Sequence, residues 1–147
     1  MSAASLYAWI ATVLVGLLLL VIWLLEYDPK FQGKAATRLP IPVLSAHALL
    51  GMAGLLMWGI YLLADVDRLV WPIIADLGAA VLLGLIMVGR WIRVYRTATP
   101  HPSPGASPGA KPAVPAERHF PLSAVILHGT LAVTTIVLVL WIALFES

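Results

Sequence analysis

Two histidines lie inside long apolar stretches, each seven residues after a proline: Pro40 to His47 in LPIPVLSAHALLG, and Pro121 to His128 in FPLSAVILHGTLA. An ionisable side chain within a membrane span is costly and usually faces the bundle interior. On a helix, positions +4 and +7 share the face of the starting residue. After His47 these positions hold Gly51 and Gly54, and after His128 they hold Ala132 and Thr135. A flat macrocycle held between two helices needs that combination: an imidazole on each side for the iron, and little bulk against the ring. The chain has no cysteine, so covalent haem attachment is excluded. Non-covalent haem b is the cofactor expected, with His47 and His128 as metal ligands and the four small residues shaping the haem face. Arg38, Arg90 and Arg118, with Arg93 nearby, are the candidates to pair with its carboxylates, because guanidinium and carboxylate match bidentately.

Two other readings of the histidine pair stay open. Small residues at this spacing also let helices pack closely with no cofactor, and an imidazole can hydrogen-bond across such an interface. Proton or ion handling is the third. A zinc site would need further ligands of the right type, which the neighbourhood lacks. Asp76 is the one other ionisable group well inside an apolar stretch, and it marks the alternative of a small transporter. His119 sits at a membrane edge before Phe120 and Pro121, and reads as an interfacial polar residue. His101 reads as a solvated linker residue.

The elements that carry these residues are set by composition. Of 147 residues, 61% are hydrophobic and 11% charged, and the mean hydropathy is +0.97. Soluble domains run near 45–50% apolar and about 25% charged. A soluble enzyme, a disordered chain and a nucleic-acid-binding module are excluded, and the lipid bilayer is the expected partner. Four spans are expected, at about 6–25, 41–64, 69–92 and 122–145. The fold class is all-α: one transmembrane domain, an antiparallel four-helix bundle. Span one reads as a retained helix, since no Lys or Arg precedes it and no small-residue cleavage site follows. A Pro/Gly-rich stretch, residues 99–115, reads as a flexible connection.

Lysine and arginine gather in the first connection (Lys30, Lys34, Arg38) and the third (Arg93, Arg96, Lys111, Arg118). Those connections are expected on the cytoplasmic side of a bacterial inner membrane, with both termini outside. Tryptophans and tyrosines near span ends, including Trp9, Trp23, Trp71, Trp91 and Trp141, read as an interfacial aromatic belt.

An internal duplication is also expected. A shift of 81 residues carries Pro40 onto Pro121 and His47 onto His128. A shift of 68 carries Gly16 onto Gly84, Trp23 onto Trp91 and Tyr27 onto Tyr95. Two hairpins repeated in the same orientation would be related by a pseudo-two-fold axis along the membrane normal.

The segments RLPIPVLSAHALLGMAGLLMWGIYL and ERHFPLSAVILHGTLAVTTIVLVL resemble small four-span bacterial membrane proteins with a PxxxxxxH…PxxxxxxHG layout, a group that implies no established activity. The histidine pair is more distantly similar to membrane b-type cytochromes, including cytochrome b561-like bundles and the haem-bearing anchors of respiratory enzymes. That similarity implies electron transfer within the membrane, with a quinone or a respiratory membrane complex as partner. Many such bundles hold two haems on four histidines, whereas only two of the four histidines here lie well inside spans. One haem is implied. No GxSxG, HExxH or P-loop signature is present, and no catalytic residue is assigned. The alternative function is a structural or accessory membrane subunit without independent catalytic activity, in a homo- or hetero-oligomer.

Overall fold

The computed structural model describes residues 2–27, 37–64, 66–97 and 114–145. Lys30, Lys34, Asp65, His101, Lys111 and most of the 99–115 connection lie outside these. Among the described residues there are four long α-helices and no strand: α1 (Ser2–Glu26), α2 (Ile41–Ala64), α3 (Val70–Thr97) and α4 (Leu122–Phe145). All four are long and apolar enough to cross a membrane. The protein is an all-helical membrane four-helix bundle.

Proline sets the start of α2 and of α4. The Pro40 carbonyl accepts the Leu44 N–H at 3.0 Å, and the Pro121 carbonyl accepts those of Ala124 and Val125 at 3.0 and 3.1 Å. Proline has no N–H to leave orphaned at a helix start, and its carbonyl is free to take the first helical bond. A short 3-10 turn, Asp67–Leu69, leads into α3. That helix runs to Thr97, one turn or more past the expected end of its span. Arg93 and Arg96 are therefore helical and not part of the connection, as the sequence reading had them. The stretch RWIRVYRT contains no Gly or Pro to stop it, and arginine near a helix C-terminus is favoured by the dipole.

The helices form a ring in chain order. α1 packs most extensively on α4 and α2 on α3, the α1–α2 contact is slighter, and α3–α4 is slightest. The diagonals α1–α3 and α2–α4 make no close backbone approach. Under the duplication, the α1–α4 pair maps onto α3–α2, and these are the two extensive pairs.

The interior is split into two plugs. One, at the end bearing the chain termini, joins Trp9, Trp58, Tyr61, Val70, Ile73, Val139 and Ile142. The other, at the end bearing the first and third connections, joins Trp23, Leu39, Leu44, Trp91, Ala116 and Phe120. Trp9, Trp23 and Trp91 are 2%, 4% and 7% exposed. These three are core residues and not members of a lipid-facing belt. Indole at a span end serves either purpose, and only the helix face decides.

Glu117 ties down the connection end. It lies in a short 3-10 helix, Ala116–His119, and is wholly buried. Its carboxyl accepts the Thr37 hydroxyl at 2.8 Å and the Arg38 backbone N–H at 2.6 Å. The Trp23 indole donates in turn to Thr37 Oγ1 at 3.1 Å. One carboxyl thus binds both connections to the bundle. Glu117→Ala would strand a buried hydroxyl and a backbone N–H, a cost of about 2 kcal/mol. A lowered midpoint of thermal unfolding in detergent is the expected result. Glu117→Gln, which keeps an acceptor, should recover part of it.

Candidate functional site

His47 on α2 and His128 on α4 project from the diagonal helices into the space between the two plugs. Their ring centres are 6.1 Å apart, with planes inclined at 76°. Each ring is held from behind by a neighbouring helix. His47 Nδ1–H donates to the Ala80 carbonyl on α3 at 2.8 Å, and His128 Nδ1–H donates to the Thr12 carbonyl on α1 at 3.0 Å. A carbonyl only accepts, so in both rings the proton must sit on Nδ1. That leaves Nε2 as the nitrogen for other chemistry. A metal-binding imidazole usually donates its other ring N–H to such a carbonyl.

The two acceptors are repeat equivalents: Thr12 and Ala80 are 68 residues apart, as Gly16 and Gly84 are. The arrangement follows from helix geometry. A side chain on a helix lies over the turn N-terminal to its own Cα, so the residue four positions on covers a carbonyl. Gly16 stands four residues after Thr12, and Gly84 four after Ala80. A Cβ at Gly16 would sit 2.9 Å from His128 Cε1, and one at Gly84 3.1 Å from His47 Cε1. Glycine is what uncovers each carbonyl to its imidazole. The two histidines thus share one local geometry, at positions related by the shifts of 68 and 81 residues.

A cavity of about 740 Å³ surrounds the pair. Cofactor and small-molecule sites span roughly 300–1,000 Å³. Its lining is apolar apart from the histidines and a few hydroxyls, with Trp9 toward one end and Trp91 and Phe120 toward the other. Leu85, Val88, Ile126 and Val133 line it and are also exposed, so it reaches the lipid-facing surface beside α3 and α4, the least packed neighbours.

The other expected site residues divide. Gly51 and Ala132 line the cavity, as does Thr135, whose hydroxyl donates to the Leu131 carbonyl at 2.9 Å and meets Thr12 Oγ1 at 3.1 Å. Gly51 has no atom near the place of a Cβ, and its carbonyl accepts the Trp9 indole N–H at 3.1 Å. Gly54 is not among the lining residues; it lies under the Asp76 carboxyl and the Trp9 ring. Arg38, Arg90 and Arg118 are not among them either. Arg38 and Arg90 line a separate groove, with the Arg90 guanidinium donating to the Arg38 carbonyl at 3.2 Å. Arg118 lies over the Tyr95 ring, 4.7 Å from its centre.

Sequence reasoning assigned no site role to Gly16, Gly84, Thr12 or Ala80. The glycines were visible as repeat markers, and that was the available signal. It also left Trp91 unassigned. Trp91 Nε1 is buried with no hydrogen-bond partner, whereas its repeat equivalent Trp23 donates to Thr37. Asp76 Oδ2 is likewise buried and unpartnered.

The residues present fit a haem. Imidazole nitrogens bind metals at about 2.0–2.1 Å, so two rings turned toward one metal have centres about 6 Å apart. The observed separation is 6.1 Å. Among the described residues no group of three or more His, Asp or Glu side chains could hold a metal ion. A metal held by two histidines alone would need its other ligands from a macrocycle. The orphaned Trp91 N–H, on a residue lining the cavity, suits an acceptor such as a carboxylate. No protein-family model, curated protein or solved structure matches the chain.

Proposed function

We propose that this protein is a small b-type cytochrome, carrying one haem between His47 and His128 and passing electrons within the membrane. The observation that carries the reading is the pair of imidazoles meeting inside a cavity, each with Nδ1 committed to a backbone carbonyl. A packing histidine needs one partner and no cavity; here both rings line a cavity, each with Nδ1 committed to a carbonyl. Bound there, haem would supply a one-electron iron couple. The chain's own part is to orient both ligands through Thr12 and Ala80, and to exclude water with the aromatic plugs. Haem content of protein purified from haem-sufficient cells tests it, with one haem per chain expected. Colourless protein would overturn it and favour the accessory-subunit reading.

Trp91 is proposed to donate its indole N–H to a haem carboxylate. Trp91→Phe keeps the ring and removes the donor. Haem retention should fall about tenfold, the worth of one hydrogen bond to a charged group. Trp23→Phe is the control: it breaks the bond to Thr37 and should leave haem retention unchanged.

Placement in a bacterial inner membrane with both termini outside belongs to the same proposal. Arg38, Arg90, Arg93, Arg96 and Arg118 gather at the connection end, which the positive-inside rule puts in the cytoplasm. A quinone or a respiratory membrane complex is the proposed electron partner. A second reading, proton or cation transport, draws on the unpartnered Asp76 Oδ2. Ion flux into vesicles, lost in Asp76→Asn and carried by colourless protein, would favour it.

A further inference from the structure

At the connection end, a groove of about 780 Å³ lies between the start of α2 and the end of α3. It is lined by Arg38, Arg90 and Arg93 together with the apolar Leu39, Pro40, Ile41 and Pro42. Tyr27 and Thr37 complete the lining, so among the described residues three cations and no carboxylate line it. Glu117 is committed to Thr37 and to the Arg38 backbone N–H, which fixes where the Arg38 side chain starts. Arg38 Nε is buried and has no hydrogen-bond partner. A buried guanidinium donor without an acceptor is costly, and an oxyanion is the partner its fork geometry matches.

The groove's position narrows the source of that oxyanion. Arg38 precedes the first turn of α2, and Arg90 and Arg93 stand in the last turns of α3. In a spanning bundle this is the level of lipid phosphates. The four apolar residues give the groove a greasy wall beside its charged one. A glycerol backbone and the root of an acyl chain suit that wall, and a freely soluble phosphate does not.

We propose that this groove binds the headgroup of an anionic phospholipid, with Arg38, Arg90 and Arg93 around the phosphate. Leu39 alone lines both the groove and the histidine cavity, so the two sites are distinct. The inference therefore does not depend on the haem reading.

Native mass spectrometry of the full chain in mild detergent is the test, with phosphatidylglycerol, phosphatidylcholine and inorganic phosphate as probes. One phosphatidylglycerol per chain should be retained in preference to phosphatidylcholine, and millimolar phosphate should not displace it. Each of Arg38→Gln, Arg90→Gln and Arg93→Gln should lower occupancy about fivefold. Arg90 and Arg93 are exposed, so their variants keep the test valid if Arg38→Gln fails to fold. Arg38→Lys should recover only part, since it restores charge but not the fork. Equal retention of the two lipids, or variants that bind as the parent does, would overturn the proposal. Displacement by inorganic phosphate would overturn it in favour of a soluble anion. Retention by colourless protein only would give the arginines to the haem carboxylates instead.

Discussion

His47→Leu and His128→Leu are each expected to abolish haem retention while leaving a folded bundle. Leucine fills similar volume with apolar atoms, so the interior between the two plugs keeps its packing. What is lost is one of the two nitrogens that would hold the iron, and the remaining ring cannot reach around to replace it. Loss of the hydrogen bond behind a ligand costs metal sites about 10–100-fold in affinity, so removing a ligand should cost at least about 100-fold. The two single variants should look alike, because the site is near-symmetric: each ring has its own carbonyl and its own glycine. The double variant should be no worse than either. Haem per chain measures the effect, and helical circular dichroism shows that the fold survives. If the rings serve packing alone, neither substitution changes anything but stability.

The second large effect is expected from the glycines. In Gly16→Ala a new methyl would sit 2.9 Å from the His128 ring, and in Gly84→Ala 3.1 Å from the His47 ring. Neither imidazole can retreat without breaking its bond to Thr12 or Ala80. Both substitutions should therefore release the Nδ1 support and lower haem retention about 10–100-fold, with Gly16→Ala the more severe. Gly→Val at either place should approach the histidine knockouts. Gly78→Ala and Gly89→Ala are the controls, since nothing stands within 4 Å of a Cβ at those positions. Alanine there should be neutral or add up to about 1 kcal/mol of helix stability. An effect at 16 and 84, and none at 78 and 89, separates ring placement from helix propensity. Haem content against unfolding temperature, measured across the four variants, distinguishes them.

The spans were readable because bilayer thickness and the rise per residue leave little freedom. Span two was expected at 41–64 and span four at 122–145, and α2 and α4 occupy those residues. α3 overran its expectation because hydropathy marks where a helix leaves hydrocarbon, not where it ends. The histidine pair was readable from the two Pro-x6-His spacings. Its supporting carbonyls were not, because every residue carries a carbonyl and sequence gives no sign of which is exposed. Gly16 and Gly84 carried that sign, since glycine in a helix costs stability and so asks for a reason.

Facing was the other gap. Trp9, Trp23 and Trp91 near span ends fit a belt or a plug equally well, and the moment of an almost wholly apolar helix does not decide. Gly54 was placed beside the histidine by periodicity alone. It shares His47's side of α2, but two turns along it meets Asp76 and Trp9 rather than the cavity. Glu117 drew no reading from the sequence, because burial by tertiary contact with Thr37 and Arg38 leaves no local pattern.

The most direct test of the central claim is the reduced-minus-oxidised absorbance spectrum of the purified wild-type protein, recorded with and without carbon monoxide. Two histidines on one iron predict a sharp b-type α band that carbon monoxide does not shift, because both axial positions are taken. A colourless protein, with haem available during expression, would contradict the claim. So would a spectrum that carbon monoxide shifts, since it would mean an open axial position and at most one of His47 and His128 on the iron.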